Sequence, residues 1–298
     1  MTSEFPLIDS IEELQEELQQ VDYVAGRGLA TSLYLALKLR RPLFLEGEAG
    51  VGKTEVGKAT AQLLGAELIR LQCYEGLDIY HAVYDWNYTR QILHIRLLEA
   101  QGGDTSDADL FGPEFLLKRP LLQAIESQAE VPPVLLIDEL DRSDAEFEAY
   151  LLEVLSDFQI TIPEIGTIQA KHPPFVIITS NRTREVHDAL KRRCLYHWIE
   201  YPSLQKELAI VKARLPEAGE VLAQQATKFT QALRGERLYK VPGIAETLDW
   251  IRALTELDRV SLDPELVNDT LGVLLKTQED IAAIKGERVG ELLGEADG

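Results

Sequence analysis

Residues 47–54 read Gly-Glu-Ala-Gly-Val-Gly-Lys-Thr, a complete G-x-x-x-x-G-K-[ST] phosphate loop. The run Leu43, Phe44, Leu45 ahead of it is strand-like. Val56, Ala59, Thr60, Leu63 and Leu64 behind it have helical spacing. This strand-loop-helix setting constrains the fold to an α/β arrangement in which one strand end meets a helix N-terminus. Glycines let the loop curl so that its N–H groups face inward, where the helix also presents its positive end. The expected contacts of a nucleoside triphosphate are therefore Gly47, Glu48, Ala49, Gly50, Val51, Gly52, Lys53, Thr54 and Glu55. Lys53 would reach the β- and γ-phosphates, and Thr54 would ligate Mg²⁺.

The 298 residues suffice for one large domain or two ordinary ones, and 45% hydrophobic content supplies ample core. No apolar run approaches the roughly 18 residues of a membrane span. Residues 1–20 are acidic rather than basic and apolar, so a cytoplasmic location is expected. Cys73 and Cys194 lack CxxC spacing and read as reduced thiols. The five histidines show no metal-ligand spacing. A formal charge of −20 opposes broad nucleic-acid binding and fits either plain solubility or an acidic docking surface.

Ser10-Ile-Glu-Glu13 forms a capping box ahead of Ile11, Leu14, Leu18 and Val21, which predicts an amphipathic first helix. A second helix is expected over 29–39, ending before Pro42. Strands are expected at 43–45, 67–71, 134–137, 175–179 and 197–200. Helical stretches separate most of them, which implies a parallel sheet covered on both faces. Gly65 is placed to close the helix that leaves the phosphate loop. Residues 101–109 read as a mobile surface loop. Beyond Tyr201-Pro202 strand signals stop, and helices are expected over 204–214, 221–233, 244–257 and 264–283, with fraying from 290 to 298. The expected domains are therefore 1–201, α/β, and 202–298, a smaller all-helical lid.

Val134-Leu-Leu-Ile-Asp138-Glu139 is a buried strand ending in paired carboxylates, the Walker B pattern. Asp138 would hold Mg²⁺ through its water shell and Glu139 would act as general base on the attacking water. Phe175-Val-Ile-Ile-Thr-Ser-Asn181 ends in a polar triplet whose amide can orient that water. Ala189-Leu-Lys-Arg192-Arg193-Cys then offers a basic triplet, either a solvated helix end or an arginine finger serving a neighbouring subunit.

In this order these motifs resemble an AAA+ ATPase, and details narrow the resemblance to the MoxR family. Glu139-Leu-Asp-Arg-Ser143 is similar to that family's stretch after the Walker B strand. Residues 158–169 read as a hairpin turning at 163–166, placed as the family's pre-sensor hairpin, about 158–172. Gln72-Cys-Tyr-Glu-Gly-Leu-Asp-Ile79 and residues 84–95 fall where its helix-2 insert belongs, about 73–96. The wording of 46–54 and 71–78 is most similar to the CoxD-like branch. The resemblance makes Asn181 the sensor 1 residue and Arg193 the finger, with Arg192 the second choice. Pro242-Gly-Ile-Ala-Glu246 departs from the family by carrying glutamate where a sensor 2 arginine often stands. Lys240 and Arg252 are the substitutes at hand.

The resemblance implies a ring-forming ATPase, with ATP and Mg²⁺ as cofactors and a hexamer of identical chains as the assembly. It implies a chaperone that remodels client proteins. A von Willebrand factor A domain protein would be its partner and a metalloenzyme in metal-centre or cofactor maturation its client, with no membrane insertion. The alternatives are a nucleic-acid-dependent motor, for which Arg90, His94, Arg96, Lys171 and His172 would line a basic pore, and a nucleotide-gated scaffold with little turnover. A small-molecule kinase would not need Glu139, Asn181 and a trans arginine together. The adenine pocket is expected near Tyr23-Val24-Ala25.

Overall fold

The computed structural model describes residues 8–100 and 110–297. The stretch 101–109, expected as a loop, lies outside the described residues. The chain opens with α1 (Ile11–Gln20) and α2 (Arg27–Leu39), followed by β1 (Leu43–Gly47) and α3 (Lys53–Leu64). Ser10 Oγ accepts the Glu13 N–H at 3.0 Å, as a capping box requires, while the Glu13 carboxylate takes the N–H of Asp9 instead of Ser10. Gly65, at φ +62°, ends α3.

Next come β2 (Leu68–Gln72), α4 (Ile79–Ala82), β3 (Tyr84–Trp86), α5 (Tyr88–Ala100), β4 (Leu116–Lys118) and α6 (Pro120–Glu126). β3 and β4 pair antiparallel, Tyr84 opposite Lys118, and close the insert on itself. Then follow β5 (Val134–Asp138), α7 (Ala145–Asp157), the antiparallel pair β6 (Gln159–Ile162) and β7 (Gly166–Gln169), β8 (Phe175–Ser180), α8 (Asp188–Arg193) and β9 (Leu195–Ile199).

The main sheet has five strands in the order β2-β5-β8-β1-β9, and the pairs β2–β5, β5–β8 and β8–β1 are parallel. β1, β5 and β8 are buried along their whole length, which is why they read as unbroken apolar runs rather than alternating ones. The register sets Gln72 beside Asp138 and Glu46 beside Ser180, so the polar residues of four strands gather at their C-terminal ends.

The remaining elements are helices: α9 (Leu204–Arg214), α10 (Glu220–Leu233), α11 (Ile244–Glu256), α12 (Pro264–Leu274), α13 (Gln278–Ile284) and α14 (Glu287–Asp297). Two expectations fail here. The single run over 264–283 is two helices, because the chain leaves helical geometry at Leu275 and Thr277 caps α13 by accepting the Asp280 N–H. Residues 290–297 are helical rather than frayed. Val289 and Leu292 are completely buried in the helical core, and that packing outweighs the poor propensity of Gly290 and Gly294.

The chain divides into two compact units. One comprises Met1–Leu14, Arg27–Glu46 and Gly57–His197; the other comprises Gln15–Gly26, Gly47–Val56 and Trp198–Gly298. Each has its own core. In the first, Phe44, Ile69, Leu121, Leu135, Ile137 and Ile178 belong to one cluster; in the second, Trp250 and Phe229 lie 5.5 Å apart among Leu222, Leu254 and Leu271. Among the described residues no helix is long and apolar enough to cross a membrane.

Candidate active site

The phosphate loop belongs to the second unit. Glycine is required at Gly47 by close approach: a β-carbon there would stand 2.3 Å from the Ile199 carbonyl oxygen. Lys53 is buried and its Nζ donates to the carbonyls of Gly47 at 2.7 Å and Glu48 at 2.6 Å, so the ammonium sits inside the curl of the loop. Thr54 follows it in the first turn of α3. Glu55 meets Arg214 at 3.3 Å. Burial and then the Glu55 charge push the Tyr23 phenol up from its ordinary value.

The helical part of the same unit reaches the loop through backbone. Ile244 N–H donates to the Gly50 carbonyl at 2.9 Å. Glu246 caps its own helix by accepting the Gly243 N–H at 2.9 Å. Arg234 is almost fully buried, with its guanidinium forked onto Glu207 at 2.6 Å on both oxygens and its Nε on the Pro242 carbonyl. This pair fixes the turn before α11, and nothing in the sequence pattern singled it out. Of the two suggested sensor 2 substitutes, Arg252 pairs with Asp249 at 3.6 Å, and Lys240 uses its backbone N–H on Asp280.

The first unit holds the carboxylates. Asp138 ends β5, fully buried. Its Oδ1 accepts the Thr179 hydroxyl at 2.6 Å and its Oδ2 accepts Arg70 Nε at 3.0 Å. Thr179 Oγ1 in turn accepts the Glu139 N–H at 2.9 Å. Glu139 itself takes a left-handed backbone, φ +56° and ψ +48°, a conformation that costs a non-glycine residue of order 1 kcal/mol or more. It turns the chain at the strand end. The Glu139 carboxylate then meets Arg142 Nε at 3.0 Å on one oxygen and Asn181 Nδ2 at 3.4 Å on the other.

Asn181 is set in place by Asp141. The Asp141 carboxylate accepts the Asn181 N–H at 3.0 Å, the Thr183 N–H at 2.9 Å and the Thr183 hydroxyl at 2.6 Å. Burial alone would raise this carboxyl, but the donors outweigh it and hold it below its ordinary value. Cys73 lies just past β2, its N–H on the Asp138 carbonyl. Burial, then the charges of Asp138, Asp141 and Glu139, push its thiol up to about 12, so it stays protonated and inert. Burial likewise pushes the Cys194 thiol up to about 12, and both cysteines are free of disulfides.

The basic triplet closes α8. Lys191 pairs with the buried Glu46 at 2.8 Å, next to the Phe44 and Tyr196 rings. Arg193 Nη1 donates to the Leu152 carbonyl at 2.8 Å. Arg192 projects, its side chain 82% exposed and 3.9 Å from Asp188. Arg41 donates to the carbonyls of Arg192, Arg193 and Cys194, and so caps the helix that presents them. Arg41, Arg70, Thr179 and Asp141 were not singled out from the sequence. Thr179, in the polar triplet at a strand end, and Asp141, in the Glu139–Ser143 stretch, lay within recognised motifs, but neither was given a role of its own. Two of the suggested pore cations lie against the insert's own residues: Arg90, still exposed, donates to the Glu114 carbonyl, and its guanidinium and the His94 ring both pack on Phe115.

Solved structures to which the chain is similar include the RuvB Holliday junction branch migration motor of Thermotoga maritima. It is 19% identical, over 90% of this chain and 72% of that one, with a TM-score of 0.45. A proposed ATPase from Cytophaga hutchinsonii is 16% identical, over 96% and 92%, with a TM-score of 0.45. Likenesses this distant say nothing of what the chain acts on. No curated protein matches it. Residues 43–200, more than half of the chain and the stretch that contains every strand-end residue described above, match the family model for AAA, and the chain belongs to the ATPase family associated with various cellular activities.

Proposed function

We propose that this AAA ATPase is a ring-forming remodelling chaperone of the MoxR type, closest to the CoxD-like branch. It works in the cytoplasm with a von Willebrand factor A domain partner on a metalloenzyme client. The observation that supports the reading is the Glu139–Asn181 pair at adjoining strand ends. It occurs in a chain that inserts β3, α5 and β4 ahead of the Asp138 strand and the β6–β7 hairpin ahead of the Asn181 strand. The division into 1–201 and 202–298 is proposed as the functional one, the second segment acting as a lid.

In this mechanism Lys53 exchanges the Gly47 and Glu48 carbonyls for the β- and γ-phosphates of ATP, with residues 47–55 around them. Glu139 accepts a proton from the attacking water, which Asn181 orients. Arg193, or Arg192 beside it, offers a fixed positive charge to the triphosphate of a neighbouring copy, and this makes turnover depend on assembly. Thr54 and the buried Asp138 are hard oxygen donors that fit Mg²⁺, which needs only one or two such groups beside substrate phosphates. When bound, Mg²⁺ supplies charge neutralisation at the phosphates. The insert and the hairpin carry the resulting movement to a client.

The test is assembly-dependent hydrolysis. Sedimentation of the full chain with ATP and Mg²⁺ should show a ring, most stable in Glu139→Gln, and the ring should retain the von Willebrand-type partner. A single copy that hydrolyses ATP at full rate overturns the proposal. For the scaffold alternative, phosphate release well above background in the wild type is the excluding result.

A further inference from the structure

The turn that opens α11 lies in close backbone contact with the middle of the phosphate loop. A β-carbon on Gly243 would stand 2.6 Å from the Gly50 Cα and 2.7 Å from its carbonyl oxygen, so no larger residue fits without moving the loop. Gly50 has φ +75°, and its outward carbonyl receives the Ile244 N–H. This docking carries a charge with it. A β-carbon on Gly50 would lie 3.2 Å from Glu246 Oε2, the same oxygen that accepts the Gly243 N–H. Glu246 has no ion-pair partner among the described residues. The neighbouring Arg234 is already neutralised by Glu207, and Glu48 and Glu246 both act on the Tyr201 phenol. A carboxylate is thus held, uncompensated, against the middle of a loop whose N–H groups attract anions.

We propose that Glu246, docked on Gly50 by the Gly243 backbone contact, opposes the phosphate charge in the loop and so weakens nucleotide retention in proportion to that charge. The proposal rests on the loop's being the phosphate site. The effect is larger for ATP than for ADP, because the triphosphate brings one more negative charge to the same place. Fixed charges a few ångströms apart near a surface interact strongly enough to move an affinity by about tenfold.

Glu246→Gln keeps the cap, since a glutamine oxygen also accepts the Gly243 N–H, and removes only the charge. Equilibrium titration of the full chain should show ATP binding about tenfold tighter in this variant, with a smaller gain for ADP. Both gains should shrink at about 1 M salt, where the Debye length falls to about 3 Å. Glu246→Lys should tighten ATP further. Glu246→Asp, which keeps the charge on a shorter stem, should not tighten it. Unchanged or weaker ATP binding in both the glutamine and lysine variants overturns the proposal, as does equal tightening in the aspartate variant. Lys53→Ala separates the two levels. If it weakens ATP binding by about two orders of magnitude or more, a null result at Glu246 sinks this inference alone. If it binds ATP as the wild type does, the phosphate-site reading falls and this inference with it.

Discussion

Asn181 Nδ2 lies 3.4 Å from Glu139 Oε1, and each residue is held there by a different anchor: Glu139 by a left-handed turn and the Thr179 hydroxyl, Asn181 by the buried Asp141. Two strand ends are thereby tied into one unit around a carboxylate that also faces Arg142. The arrangement can hold a water against Glu139 without either side chain having to search for its place.

Replacing Glu139 by Gln should leave ATP binding intact and slow hydrolysis by roughly a hundredfold or more, the usual scale of general base catalysis. In the proposed mechanism the Asn181 amide orients the water and does not hold the phosphate, so Asn181→Ala should slow turnover with little change in affinity. Phosphate release and nucleotide titration on the same samples read both effects. Normal turnover in Glu139→Gln removes it as the base.

Lys53→Ala should weaken ATP binding by about two orders of magnitude, as expected when one partner of a buried charged contact is cut away. The wild-type lysine is satisfied by two loop carbonyls, so the variant should fold, and its thermal midpoint should stay close to that of the parent. Undiminished affinity would exclude the loop as the phosphate site.

Most of the sheet was legible because its central strands are buried on both faces and therefore read as continuous apolar runs: 134–137 and 175–179 were found almost to the residue. The loop, the paired carboxylates and Asn181 were legible because each is a local pattern at a strand end. What could not be read is what the fold joins across long stretches of chain. Arg70 reaching Asp138, Arg41 capping α8 and Arg234 locking Glu207 are single arginines with no local signature. The β3–β4 pairing brings together segments some thirty residues apart, and three-residue strands carry too little period to announce themselves. The last helix was misjudged for a related reason, since the burial of Val289 and Leu292 is a tertiary fact.

Asp141 gives stability a sign with pH. Its folded carboxyl titrates below its ordinary value near 4, so the unfolded chain binds the proton more tightly. The stabilisation is present in full above about pH 4 and is lost as pH falls through the folded value. Asp141→Ala should cost about 1–3 kcal/mol near neutrality, because three donors lose a charged acceptor. The gap from wild type should close in acid. Denaturant midpoints at pH 7 and below pH 4 check this; a gap that does not change with pH would show that the carboxylate charge is not what holds Asn181.

The finger assignment divides two adjacent arginines. Arg193 is tethered to the Leu152 carbonyl, a neutral bond worth about 1 kcal/mol, and must release it to reach another copy. Arg192 is exposed, and among the described residues its side chain has only Asp188, 3.9 Å away, to leave. If Arg193 is the finger, Arg193→Ala should lose 10³-fold or more in turnover while Arg192→Ala loses far less. Mixing Arg193→Ala with Lys53→Ala chains should then restore part of the activity, because each defect lies on a different side of a shared site. The reverse ranking moves the role to Arg192.

Gly47 offers a test of the loop that is independent of charge. A β-carbon there would collide with the Ile199 carbonyl at 2.3 Å, and neither group is a flexible side-chain end. Gly47→Ala must therefore shift either the strand end or the backbone beside it, at a cost of about 1–3 kcal/mol as for other overpacked sites. The Lys53 ammonium hangs on the Gly47 carbonyl, so the shift should also weaken ATP binding, whereas Gly65→Ala, where nothing stands within 4 Å, should cost stability through its positive φ and leave affinity unchanged. Calorimetric midpoints and nucleotide titrations of the two variants side by side distinguish a loop-specific effect from general loosening, and equal losses of affinity in both would mean that the strand end does not set the loop.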